Sequence, residues 1–476
     1  MTLTRRNALG LAAAGAAFAI GGCGPGGNRG GKAADVIVLG AGLSGLHAAL
    51  TLQGAGMDVL VLEASERIGG RMRTLDDLPG APEAGGAQVG RSYARVHARA
   101  MEFGLQMGEF APSTFGQVLS VRDQLLSAED WPSAAVNTLP EPFRALPPSR
   151  LFFSLIARNN PLPDVYAWRE AQWAEHDRAA ADYLHDVIGA PDEALRLMDV
   201  SLNAESLSTY SMMNIWRTLA IYSQDRELGP SQRILGGSQR LPEAMAGALI
   251  RPVRTGARAV VLDTGSTGAA VRLASGETLR ADFIVCALPF SVLRTLDLIG
   301  EAPVAQRDAI EGLNYTPIVQ LHLEAETPWW ETDGLAPDMW TDSALERIFI
   351  QRGADGSPTG MLTCWIDGIG GLEADRMDDE ALQALASRTM ARIRPASSGR
   401  VRLRQAVRWT PSNPLAGGAY MHWRPGQIGR WAETMVQPFG RVHIAGEHAS
   451  HLHTGMEGAM EAGERAAIEI LERADA

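Results

Sequence analysis

Asp35-Val36-Ile37-Val38-Leu39-Gly40-Ala41-Gly42-Leu43-Ser44-Gly45 is the stretch that decides the fold. Its β-branched opening reads as a strand buried on both faces. The glycines then turn the chain into an alanine- and leucine-rich helix running to about Leu52, and a second strand, Val59–Leu62, ends at Glu63. Strand, glycine turn, helix and strand in this order open a dinucleotide-binding (Rossmann-like) α/β fold. The three glycines do different things. Gly40 permits the tight turn, Gly42 lets backbone approach a pyrophosphate, and Gly45 lets helix and strand pack closely. The helix start at Leu43 and Ser44 offers N–H donors and a partial positive charge to phosphates. Glu63 stands where a carboxylate accepts hydrogen bonds from ribose hydroxyls.

Further along lie Glu63-Ala64-Ser65-Glu66-Arg67-Ile68-Gly69-Gly70-Arg71 and Glu83-Ala84-Gly85-Gly86-Ala87-Gln88. Leu235-Gly236-Gly237-Ser238-Gln239, with Val253 after it, and Trp409 followed by Gly417-Gly418-Ala419-Tyr420 come next. The chain closes on Arg441-Val442-His443-Ile444-Ala445-Gly446-Glu447 and on Gly455-Met456-Glu457-Gly458-Ala459-Met460-Glu461-Ala462-Gly463. This set resembles the flavin-containing amine oxidase family over about residues 33–473, strongly at both ends and weakly in the middle, where substrate is chosen.

The resemblance implies bound FAD and oxidation of an amine by hydride transfer from the carbon beside nitrogen. It implies that Ala64, Gly70 and Arg71 run beside the flavin's phosphates and ribityl chain, and that Gly85, Gly86, Ala87 and Gln88 run beside the flavin ring. Val253 is then the backbone contact to adenine, and Trp409 flanks the ring. Gly446 and Glu447 lead to the last helix, whose start at Met456 faces the flavin pyrimidine and favours negative charge there. Arg67 is open to two readings, a surface ion pair or a cofactor contact. Where mammalian monoamine oxidases carry the cysteine that bonds covalently to FAD, this chain has Ala419, so its FAD is expected to be non-covalent.

Two departures bear on catalysis. The family holds the substrate nitrogen between two aromatic walls; Tyr420 keeps one, while Gly455 occupies the other position and leaves a wider site. A family lysine that positions water near flavin N5 is matched by Gln320, and Lys32 is the only lysine in the sequence. The acceptor is therefore expected to be either oxygen or an exported electron carrier, such as a quinone or cytochrome. An L-amino-acid oxidase on the same scaffold is the rival reading. It requires an arginine facing a substrate carboxylate, and Arg217 is one candidate.

Composition bounds the rest. The 476 residues, 46% hydrophobic and 21% charged, suit a soluble enzyme, and a net charge of -12 argues against nucleic acid as partner. Cys23, Cys286 and Cys364 form no metal-ligand spacing, and no Cys or Asp completes a site with His443, His448, His451 and His453; no metal is expected. His451 or His453 is instead a candidate pocket lining. Arg5-Arg6 followed by a small apolar run over residues 8–20 reads as a twin-arginine export signal, with Cys23 as a lipidation site and periplasmic location implied.

The expected architecture is two interleaved domains. Residues 1–32 are signal and tether; 33–100, 231–311 and 395–476 form the FAD domain; 101–230 and 312–394 form a helix-rich α+β substrate domain. A homodimer is expected.

Overall fold

The computed structural model describes residues 31–475 apart from 111–112, 201, 266 and 354. The twin-arginine start and Cys23 lie outside the described residues. Ala34–Leu39 pairs in parallel with Val59–Leu62 on one side and with Thr278–Cys286 on the other. Val36, Ile37 and Val38 are wholly buried, as their uninterrupted apolar run requires. The second half of Thr278–Cys286 also pairs in parallel with Val442–Ile444, and its first half runs antiparallel to Ala269–Leu273. Ala259–Thr264 and Asp297–Ile299 complete this seven-stranded sheet.

Two helices close one face of it. Leu43–Gly54 lies against the final helix, Gly455–Ala474, and backbone meets backbone where they cross. A Cβ at Gly463 would fall 2.2 Å from the Ser44 carbonyl oxygen, and one at Gly45 would fall 2.0 Å from that of Gly40. The first approach joins the two ends of the chain; the second holds the helix down on the strand.

The other seven-stranded sheet runs in the order Val401–Trp409, Ile318–Ala325, Pro358–Asp367, Arg347–Arg352, Met339–Thr341, Val118–Val121, Gln124–Ser127. Strand alternation splits its two faces. Val319, Leu321 and Leu323 enter a core with Leu382 and Met390 of the helix Asp379–Ile393. Gln320 points the other way, in register with Trp365, which is itself in register with Arg347.

The sequence reading differs from this in two places. Val401–Trp409 belongs to the second sheet, beside Ile318–Ala325, so the chain returns to the nucleotide sheet only after Trp409 rather than at residue 395. Its alternating pattern fits either sheet; pairing, which alternation does not encode, decides between them. The stretch read as helical also contributes the hairpin of Val118–Val121 and Gln124–Ser127. Most of its helices are short, such as Pro148–Ile156 with 9 residues, but Met212–Leu228 has 17. The Ser211 hydroxyl caps that long helix by accepting from the Met213 and Asn214 N–H groups. No helix among the described residues is long and apolar enough to cross a membrane.

Gly45→Ala should therefore cost at least about 2 kcal/mol, because the added methyl meets backbone and cannot rotate away. A thermal melt of the purified protein that is unchanged by this substitution would contradict the close packing described.

Candidate active site

Between the two sheets lies a cavity of about 1260 Å³. Small-molecule pockets span roughly 300–1,000 Å³, so this one has room for a dinucleotide and a second molecule. At its nucleotide end, Gly40, Gly42, Leu43, Ser44, Glu63 and Ala64 form the wall. Glu63 accepts from the Ala41 N–H (2.8 Å) and the Ser65 N–H (2.9 Å), and each carboxylate oxygen retains a lone pair for a ribose hydroxyl. Arg67 is neither a surface ion pair nor a free cation: its guanidinium donates to the carbonyls of Ile68 (2.9 Å), Met72 (2.7 Å) and Gly70. It holds the glycine loop in shape.

Arg71 ties three distant segments together. Its Nη1 donates to the Ala419 carbonyl and to Glu447 Oε1, each at 2.9 Å, and Glu447 Oε1 also accepts from the Met421 N–H at 3.1 Å. The Gly446 N–H donates to Ser44 Oγ (2.8 Å), which joins the last motif to the first. Trp409 Nε1–H donates to the Ala84 carbonyl and sets the ring against the Gly85-Gly86-Ala87-Gln88 segment, all of which lines the cavity. Gln88 donates onward to Ser231 (2.7 Å).

Two residues expected at the cofactor stand back from the cavity wall. Gly45 acts by packing alone, as described above. Val253 packs in the apolar cluster under the nucleotide sheet. Its neighbour Arg254 is the cause: it pairs with the end of Val59–Leu62, donating to the Val61 carbonyl (3.0 Å) and accepting from the Glu63 N–H (2.9 Å). The chain reaches the cavity only at Ala257, Arg258 and Ala259.

Gln320 sits at the opposite end. It is wholly buried, lines the cavity, and neither end of its amide has a protein partner. A buried amide without a partner costs about 1–3 kcal/mol, so this head group is placed for something bound in the cavity. Beside it stand Trp365 and then Arg347, whose guanidinium is 5.6 Å from the Trp365 ring centre. Arg347 Nη2 donates to Asp367 and to Asn203 Oδ1 (2.9 Å), while its buried Nε has no protein partner. Tyr420 also lines the wall, and burial pushes its phenol well above the usual range, so it is a neutral hydroxyl. Gly455 has φ +57°, and a Cβ there would meet only Tyr93 Oη, at 3.9 Å: the missing second wall is open space. Met456 lines the cavity at the start of the final helix.

His451 and His453 are not in the wall. His453 stands behind it, with Nε2 3.1 Å from Ser92 Oγ and its ring edge-on to Tyr93 at 4.6 Å. Burial lowers its pKa, and burial together with Arg71 and Arg465 brings that of His448 down to about 3, so both rings are neutral. Arg217 reaches the wall: its Nη2 donates to the carbonyls of His453 (2.7 Å) and Ser450 (3.2 Å), the guanidinium lies 4.1 Å from the Trp168 ring centre, and its buried Nε has no protein partner. No group of three or more His, Cys, Asp or Glu side chains is placed to hold a metal among the described residues.

Sequence reading missed Tyr93, Tyr210, Tyr222, Trp365 and Asp225, all of which line the cavity. One signal was available. Asn214, Thr218, Tyr222 and Asp225 recur at helical spacing on the same face of Met212–Leu228 and form a polar stripe where a core helix would be apolar.

A glycine cradle, a glutamate at the second strand and a final helix opening on the same cavity fit FAD. The family model described as flavin-containing amine oxidoreductase matches residues 43–471. The chain belongs to that family. Among relatives of this flavin-containing amine oxidoreductase, amine oxidase A of Sus scrofa is 25% identical over 462 residues, covering 93% of this chain and 86% of that one. The L-amino-acid oxidase of Mus musculus is 27% identical over 460 residues, covering 93% and 71%. In fold, the chain is similar to cyclohexylamine oxidase from Brevibacterium oxydans (TM-score 0.75, 21% identity, 93% and 100% covered). It is also similar to putrescine oxidase bound to putrescine (TM-score 0.73, 21% identity, 92% and 99% covered).

Arg71→Ala should strand the Glu447 carboxylate, which is only 9% exposed, without its cation. Breaking a fully buried pair costs about 3–5 kcal/mol, and the partial exposure of Arg71 brings this to about 2 kcal/mol. The variant should melt lower and lose flavin during gel filtration. Retention of flavin at the unmodified level would show that the three segments are held by other contacts.

Proposed function

We propose that this flavoenzyme oxidises an amine to an imine, which hydrolyses to an aldehyde or ketone. One observation carries the reading: the nucleotide cradle opens directly onto a tyrosine-lined chamber with the unpartnered Gln320 amide in its wall. Bound FAD supplies the hydride acceptor. The protein's residues supply position and environment. Trp365, Tyr420 and Ile215 keep the chamber dry, which lowers the pKa of an entering ammonium and favours the neutral amine that hydride loss requires. Gln320 can hold a water or the amine nitrogen in place without adding charge. The charge of Arg347 is already balanced by Asp367, and the Nη2 of Arg217 is held by two backbone carbonyls, which supports amines ahead of amino acids as substrates.

FAD is held without a covalent bond, because Ala419 lines the cavity with a methyl group where a thioether would need sulfur. The electron acceptor is an exported carrier protein or quinone in preference to oxygen. A cation near the reduced ring would stabilise negative charge developing on oxygen; Gln320 is neutral and Arg347 is neutralised by Asp367. The twin-arginine start and Cys23 support export with the cofactor already bound, and a lipid anchor.

Acid precipitation should leave yellow FAD in solution; flavin that stays with the denatured chain contradicts the non-covalent assignment. Anaerobic addition of amines should bleach the flavin absorbance, and a protein bleached by L-amino acids but by no amine would overturn the main reading. Gln320→Lys, reduced and then mixed with oxygenated buffer, should reoxidise about tenfold faster or more, equivalent to about 1.4 kcal/mol. No gain, or fast reoxidation of the unmodified enzyme, would make oxygen the natural acceptor.

A further inference from the structure

Five carboxylates line the cavity, and four are satisfied: Glu447 by Arg71, Asp338 by Arg352, Glu63 by two backbone amides, and Glu83 by Ser238 N–H and Thr74. Asp225 is different. It is 8% exposed, accepts a single hydrogen bond, from the Ser92 N–H (2.7 Å), and forms no ion pair among the described residues. The chain has made a place for it. A Cβ at Gly90 would lie 2.0 Å from Asp225 Oδ2, so only glycine at that position admits the carboxylate. A buried carboxylate is costly unless a cation meets it.

Its surroundings suit a cation. Asp225 ends the stripe of Asn214, Thr218 and Tyr222, and 11 residues of helix place it about 16 Å along the helix axis from Asn214. Asn214 itself is bonded to Tyr210 Oη (3.2 Å) and to the Trp423 N–H (3.2 Å), close in sequence to Tyr420. Burial, with the field of Asp225 added to it, raises the phenols of Tyr93 and Tyr222, so neither ring adds a negative charge of its own.

We propose that Asp225 binds a second, distal positive charge on the substrate, so that the preferred amines are α,ω-diamines whose far end stays protonated. This rests on the amine-oxidising reading above. In that arrangement the near nitrogen lies by Gln320 and Tyr420 as the neutral amine, while the far ammonium donates to Asp225.

The test compares α,ω-diamines of increasing length with n-alkyl monoamines of the same carbon number, using the holoenzyme and anaerobic flavin reduction. The best diamine should exceed its monoamine in kcat/KM by about ten- to a hundredfold, the worth of a hydrogen bond between charged groups. In Asp225→Asn, which keeps an acceptor for the Ser92 N–H, that ratio should collapse toward one, chiefly through KM. Mono-N-acetylated diamines provide a measurement on unmodified protein should that variant fail to retain flavin: removing the far charge should reduce them to the monoamine level. Equal use of diamines and monoamines, an unchanged ratio in Asp225→Asn, or full activity of the acetylated diamines would each overturn the proposal. If monoamines bleach the flavin and diamines have no advantage, only this inference fails. If no amine bleaches it, the amine-oxidising reading fails as well.

Discussion

Arg71 stands where the glycine loop of the nucleotide sheet, the turn at Ala419 and the carboxylate of Glu447 converge, and its guanidinium is the piece they share. A buried carboxylate needs a cation, and here the cation arrives from more than three hundred residues away in sequence. Because the same Glu447 oxygen also accepts from Met421, the ion pair sets where the strand that follows Tyr420 begins. The cofactor cradle and the substrate wall are thus positioned by one electrostatic contact. Ser44, which receives the Gly446 N–H, secures the same junction from the other side.

The nucleotide end was legible because its chemistry demands particular residues in a fixed local order. Gly40, Gly42 and Gly45 are dictated by backbone geometry within a few residues, and Glu63 by its place at the end of the next strand. The chamber was far less legible. Tyr93, Tyr210, Tyr222 and Asp225 come from separate segments, and each reads alone as an ordinary wall or surface residue. Gln320 was found through family likeness; its isolation from protein partners depends on Trp365 and Val407 standing beside it in register, a pairing that no local pattern carries. Arg217 shows the converse: a candidate for binding substrate whose Nη2 is held by the carbonyls of Ser450 and His453.

Satisfied and unsatisfied groups are unevenly distributed along the cavity. At the nucleotide end Glu63, Arg67, Glu83 and Gln88 all have protein partners, giving a rigid receptacle for one molecule. Toward the second sheet the partners thin out, leaving the Gln320 amide, the Trp365 indole N–H and the Arg347 Nε–H open. A wall that fixes its own polar groups recognises shape; one that leaves a few of them free recognises chemistry.

The interleaving of the nucleotide sheet also constrains how the protein is made. Thr278–Cys286 is flanked on one side by Ala34–Leu39, but the edge at residues 284–286 gains its partner only when residues 442–444 arrive. Until then a ribosome-bound chain presents an apolar, unpaired parallel edge and lacks the final helix that covers Ser44. Contacts of such long sequence separation form slowly, because the entropy of closing the loop is lost before any pairing offsets it. The wall of the nucleotide cavity, which includes Gly446, Glu447 and Met456, is complete only once those residues have been made, and a half-made sheet is the stage at which aggregation competes with folding.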